Sequence, residues 1–302
     1  MVYWLIFFTS MKRFYFTTCL FIILIRLSVW GQENSPVGFV FLPEGHLFAP
    51  LRTNLEEPKI GVFKFLDASE MKVDIGNAID VFGFNTENLK LTAGIDFMAY
   101  AYTTGAQGLR LQVDALDGFF GGDLSGTYSL GNEARLQGRL RILHQSAHMV
   151  DGHYLAGSNS WIGNRLPIPF TRDFGELTIA HTLDHLYGIS LRSYGGISYA
   201  TLVRPTAVRR FAYLGGCDIV SDHLICPIAG KPANVFLAYH IDLTGTPAYT
   251  STHEIQFGVK FGKWFERGVS FYGEYYTGRH IFSEYFDQRL RTFGAGFTVD
   301  FF

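Results

Sequence analysis

The sequence predicts an all-β protein, a transmembrane antiparallel β-barrel of about twelve strands. Three observations carry this expectation. From Lys59 onward the chain divides into twelve alternating segments separated by turn residues, and alternation with a period of two is the mark of a strand. On nearly every segment one face is large and often aromatic, while the opposite face carries scattered charges of both signs. The composition agrees: aromatics make up 16% and there are 33 glycines, which suits many strands, tight turns and interfacial rings. The alternative is a secreted β-sandwich, but a soluble sandwich does not usually set an arginine row against rows of Asp and Glu. A barrel also leaves no open edge in lipid.

The 302 residues are enough for one large β domain. The charge is near balance, with 25 basic and 27 acidic residues, so nothing points to nucleic acid. Residues 1–31 read as a signal peptide: Lys12 and Arg13 precede the apolar run from Phe14 to Ile25, and Val29-Trp30-Gly31 supplies small residues near a cut. Met11 is an alternative start. An uncleaved anchor is the other reading, but Arg26 interrupts a run that is short for a span of about 20 residues. No later segment reaches 18 consecutive apolar residues. Cleavage implies export to the outer membrane of a Gram-negative-type bacterium. Of the three cysteines, Cys19 falls within the signal, so Cys217 and Cys226 are expected to pair in the exported chain.

Residues 32–58 are rich in Pro and Glu and lack periodicity, and they read as an irregular periplasmic leader reaching in part into the lumen. The barrel is expected over residues 59–302. Its strands are Lys59 to Leu66, Met71 to Phe84, Leu89 to Thr103, Leu109 to Thr127, Arg135 to His148, Asp173 to Leu183, Ile189 to Leu202, Ala207 to Ile219, Asn234 to Leu243, Glu254 to Gly262, Val269 to Thr277 and Leu290 to Phe302. In the third, Leu91, Ala93, Ile95 and Phe97 oppose Lys90, Thr92, Gly94 and Asp96. In the tenth, Ile255, Phe257 and Val259 oppose Gln256 and Lys260. The final strand ends on Phe302 and is similar to the C-terminal signal of bacterial outer-membrane barrels. Lumen-facing Lys90, Asp96, Arg139, Arg141, Arg192, Lys260 and Glu274 imply a packed, ion-paired interior.

The fifth segment is the most informative. Leu136, Gly138, Leu140, Ile142, His144, Ser146 and His148 share one face. Arg135, Gln137, Arg139 and Arg141 share the other. In a membrane barrel the arginines face the lumen and the leucines face lipid, which leaves His144 and Ser146 at the end of the lipid-facing row. With both termini on the periplasmic side, the fifth strand runs outward and this end emerges at the outer leaflet.

The stretch RLRILHQSAHMVDGHY, with LRSYGGISY, FYGEYYTG and the LFAPL of Leu47 to Leu51, resembles an uncharacterised family of bacterial outer-membrane barrels, a domain of unknown function. In that family an Arg-rich strand runs into His-Gln-Ser-Ser-His and an acidic turn. Here Ala147 replaces the second Ser, and Asp151-Gly152 stand at the turn. The resemblance implies an outer-membrane barrel and is silent on activity. A narrower resemblance joins His144 and Ser146 to the His-x-Ser of outer-membrane phospholipase A and the outer-membrane lipid A deacylase. Each carries that pair outward on a strand, with a nearby Asn or Glu orienting the His. Ala147 departs from the Asn that follows the Ser in the phospholipase.

The chemistry of the pair is coherent. A serine attacks an ester only if a base takes its proton, and residues two apart on a strand lie ~6.6 Å apart on one face. Ser146 is then the nucleophile and His144 the base. A third group must hold the imidazole. The candidates are Asp173, at the start of the next strand and in phase with Leu177 and Ile179, then Asn159 and Ser158 in the intervening loop. This gives a lipid-ester hydrolase at the outer leaflet as the first reading. The alternative is a non-enzymatic barrel, structural or a narrow transporter, in which His144, Gln145, Ser146 and His148 form a polar rim. Whether the chain is an enzyme, and its oligomeric state, stay open at this point. No cofactor is called for, calcium has no support in the sequence, and no metal site is expected. His144 and His148 lie ~13 Å apart on an extended strand, too far to share an ion, and a His148, Asp151 and His153 set is the weaker option. Expected partners are outer-membrane lipids and, during biogenesis, the barrel-assembly machinery.

Overall fold

In the computed structural model, residues 37–106, 110–131, 133–150, 153–164, 166–186, 188–228 and 230–301 are described. The signal-peptide reading, Asp151 and Phe302 lie outside them. Fifteen strands follow in order: β1 (Gly38–Phe41), β2 (Ile60–Phe65), β3 (Glu70–Asn85), β4 (Leu89–Ala106), β5 (Arg110–Ser129), β6 (Ala134–Met149), β7 (Tyr154–Leu155), β8 (Ser160–Trp161), β9 (Phe170–Leu186), β10 (Ile189–Arg204), β11 (Phe211–Ser221), β12 (Ala233–Gly245), β13 (Tyr249–Phe261), β14 (Gly268–Arg279) and β15 (Arg289–Asp300).

Twelve of them close a barrel. Each pairs antiparallel with its chain neighbour from β2 to β6 and on through β9 to β15, and β15 closes on β2 through Val299 opposite Ile60. Every expected strand is present. β1 extends the first wall position by pairing with the end of β3, Phe41 opposite Phe82. The small β7–β8 hairpin stands in the long loop after β6.

The barrel is inside out relative to a soluble protein. Ile95, Phe97, Leu140, Ile142, Phe257 and Phe271 on the outer wall are between 41% and 68% exposed. Arg139, Arg141, Glu176, Lys260 and Glu274 are buried inside. An apolar outer band around a polar interior is the pattern of a membrane barrel, and alternation along β6 places its arginines inward as the sequence requires.

The lumen is filled from both ends. Between β1 and β2 the chain runs through the interior, burying Phe48, Leu51, Thr53, Asn54 and Glu57. Arg139 makes a bidentate ion pair with Glu57, one contact at 2.9 Å. Arg141 bonds Glu176 at 2.7 Å and the Glu56 carbonyl at 2.8 Å, and Arg172 pairs with the Glu56 carboxylate. The Phe48 ring lies between the Arg139 and Arg192 guanidiniums, at 4.4 and 4.6 Å. Burial alone would raise the Glu57 carboxyl, but Arg139 and Arg141 beside it outweigh that and hold it at about 2. From the other end, the β14–β15 loop folds inward. Its Ile281, Phe282, Ser283, Glu284 and Tyr285 are buried, and the Asp117 carboxylate accepts the Ser283 N–H at 3.1 Å. Two cavities beside the luminal segment hold about 50 and 10 Å³, and a third of about 710 Å³ lies where the segment enters, lined by Glu44, His46, Asp80, Lys90 and Arg135.

One expectation is corrected here. Cys217 and Cys226 are both free. Cys217 lies within β11, paired opposite Tyr239, while Cys226 is exposed in the loop after β11. An even count could not reveal that the ladder fixes one thiol in the wall, away from the other.

Candidate active site

His144, Ser146 and Asp173 owe their places to the ladder between β6 and β9. Leu140 faces Leu177, Arg141 faces Glu176, and three steps further His144 stands directly opposite Asp173. Directly opposed residues bring their side chains within reach. His144 Nδ1 lies 2.6 Å from Asp173 Oδ1. The two side chains are 34% and 48% exposed, so the pair is on the outside of the wall. This engages one ring nitrogen and leaves Nε2. On the other side, β5 places Phe120 opposite His144, with ring centroids 4.9 Å apart.

Ser146 is half-buried on the same outward face, opposite Gly118 on β5 and Thr171 on β9. Among the described residues no hydrogen bond joins its hydroxyl to His144. A catalytic hydrogen bond of this kind often forms only with substrate in place. Gly118 leaves the wall beside Ser146 bare. A Cβ built there would meet only the Ser146 carbonyl oxygen, at 3.9 Å.

β10 adds a feature the sequence did not announce. Its pairing with β9 slips between Ala200 and Leu202, so Thr201 is an extra residue opposite the start of β9. Its hydroxyl donates to the Asp173 carbonyl at 3.2 Å. Bulges of this kind re-aim side chains and are frequent beside functional sites.

The remaining candidates do not join. Asn159 has φ 49° in the β7–β8 turn and accepts the Tyr154 hydroxyl. Ser158 meets Ser160 at 2.7 Å. His153 is buried, near the Tyr285 hydroxyl at 3.4 Å. Gln145 faces inward and donates to Ser283 Oγ at 2.9 Å, so it belongs to the luminal network rather than to a rim.

A closed antiparallel barrel with an apolar outside and an ionic inside defines the class: this is an outer-membrane-type β-barrel. No protein-family model and no curated protein matches the chain, so the likeness of the His-Gln-Ser stretch to an uncharacterised family gains no support beyond the barrel itself. Among solved structures the chain is similar to the β domain of the Bordetella autotransporter Brka, at 12% identity over 81% of this chain and 99% of that one, with a TM-score of 0.41. It is similar to the Pseudomonas putida toluene transporter TodX at 10% identity over 76% and 68%, TM-score 0.40. It is also similar to LpxR from Salmonella typhimurium at 13% identity over 77% and 88%, TM-score 0.35. Likeness at this level is one of general architecture.

Proposed function

We propose that the protein is a lipid-ester hydrolase of the outer membrane of a Gram-negative-type bacterium, reached by export with a cleaved signal peptide. Its site is Ser146, His144 and Asp173, and its substrate is a lipid of the outer leaflet. The observation that carries this reading is the outward pair of His144 and Asp173 at 2.6 Å, with Ser146 next on the same face. A charged or polar pair turned toward lipid is costly and usually functional. Ser146 lies three residues before the end of β6, about 10 Å along the strand, and in this reading that is the ester level of the leaflet.

In this reading Asp173 holds the imidazole through Nδ1 and stabilises it when charged. The Ser146 hydroxyl oxygen attacks the ester carbonyl carbon while His144 Nε2 takes its proton. The ester C–O bond breaks, and the departing alcohol takes that proton back. Water, deprotonated by the same nitrogen, then attacks the acyl-serine, releasing the fatty acid and restoring the serine. The lumen, filled from both ends by the chain itself, favours a function on the outer wall over one through a pore.

The test is fatty-acid release from phospholipid and from lipid A in detergent. Wild type should release fatty acid. Ser146→Ala should abolish release while keeping heat-modifiable migration on a gel. His144→Ala should act alike, with no further loss in the double variant, because the two work as a unit. Absence of release by wild type, or full activity in Ser146→Ala, would overturn the reading.

A further inference from the structure

The wall beside the candidate site ends in a groove that the hydrolase reading does not use. It lies at the β10–β11 loop and the β12–β13 turn, on the same rim as the outer end of β6. Its volume is about 740 Å³, and its lining includes Arg209, Arg210, Tyr199, Phe211 and Tyr249. No acidic residue lines it. The chain itself carries none between Asp184 and Asp218, a stretch that holds Arg192, Arg204, Arg209 and Arg210. Arg192 is buried in the lumen, and the other three stand at or beside the rim.

The arginines are held but not neutralised. Arg209 Nε donates to the Pro247 carbonyl at 3.1 Å. Arg210 Nη1 donates to the Ala200 carbonyl at 3.1 Å and to the Thr201 carbonyl at the bulge. These bonds use one nitrogen of each guanidinium and fix its direction. Among the described residues neither is in an ion pair. The rings form the groove's apolar side: Tyr199 and Phe211 have centroids 4.8 Å apart, and the Tyr249 hydroxyl donates to the Phe211 carbonyl at 3.2 Å. Two directed guanidiniums over an aromatic wall at the membrane rim present fork donors to a phosphate and rings to the top of an acyl chain.

We infer that this groove binds the phosphate-bearing headgroup of an outer-leaflet anionic lipid. Phe211 on β11 lies three strand spacings from His144 on β6, about 14 Å. The bulge that seats Arg210 is the one whose Thr201 hydroxyl bonds the Asp173 carbonyl. A lipid held here lies on the same rim as Ser146, three strands away, whether or not it is cleaved. The inference goes beyond the hydrolase reading and does not need it to hold.

The experiment therefore uses the full-length protein as Ser146→Ala, which removes turnover. The purified barrel is incubated with mixed micelles holding fluorescent phosphatidic acid or, separately, fluorescent phosphatidylcholine, and retained lipid is measured. Phosphatidic acid should be retained in preference to phosphatidylcholine. Retention should fall about fivefold with either Arg209→Gln or Arg210→Gln and roughly 25-fold with both. Arg209→Gln leaves the bulge contacts of Arg210 in place and so reads headgroup binding apart from any local distortion. Inorganic phosphate is the competing arm and should displace the lipid only in large excess, since the rings add to lipid binding alone. Equal retention of the two lipids, or unchanged retention in both single variants, would overturn the inference. Complete displacement by phosphate at the lipid's own concentration would also overturn it, marking a site for free phosphate instead.

Discussion

Asp173 meets His144 because both obey the period of two on neighbouring strands and the register sets them face to face. That was legible in the sequence, where Asp173 is in phase with Leu177 and Ile179. What the sequence hid was the choice among Asp173, Asn159 and Ser158, since loop residues carry no register. Asp173→Asn should keep the barrel folded and lower turnover by about 10²–10⁴-fold, by analogy with loss of the orienting acid in a triad. Fatty-acid release and heat-modifiability measured together would separate this from misfolding. Gly118→Val tests the bare wall beside Ser146. The site has room for a Cβ, so the barrel should form while long acyl substrates are excluded, seen as a raised KM against a short-chain ester that still reacts. The cysteines show where residue-level arithmetic fails, because pairing depends on place rather than on number. In unreduced protein both thiols should titrate as free, the exposed Cys226 reacting with maleimide first.

At the scale of elements, the twelve strands were readable because each carries its own two-faced pattern. The leader could be read as reaching in part into the lumen, but its course could not, because residues 42–58 have no repeat and are held by partners far away in sequence. One signal was present: Glu56-Glu57 is the acidic complement of the inward arginines of β6. Glu57→Gln leaves Arg139 without its bidentate partner in a buried site, and breaking such a pair costs on the order of 3–5 kcal/mol. The gel temperature at which the barrel unfolds should drop accordingly. The pH dependence has a definite sign. Glu57 titrates at about 2 in the folded chain, below the ordinary value of about 4.3. Its contribution is therefore fully present above about pH 4.5 and is lost as pH falls toward about 2. Wild type should lose thermal stability over that window more steeply than Glu57→Gln. Parallel curves for the two proteins would remove Glu57 from the account.

For the whole molecule, the features combine into a barrel whose ionic inside is committed to structure and whose outer wall carries the proposed site. The luminal segment, the β14–β15 loop and their ion pairs occupy the middle of the lumen, so planar-bilayer recordings of wild type should show no steady conductance. Barrel closure and a packed, ion-paired interior could be read from alternation along the chain, but the partners that fill the lumen could not, since they depend on all twelve strands at once. The most direct test of the central claim asks whether Ser146 is an activated nucleophile. Folded protein in detergent is treated with a fluorophosphonate carrying a long alkyl chain, and the modified peptide is located by mass spectrometry. The account predicts that Ser146 alone among the serines is labelled, that labelling slows by orders of magnitude in His144→Ala and Asp173→Asn, and that heat-unfolded protein is not labelled. An unmodified Ser146, or one labelled at the same rate without His144, would contradict it.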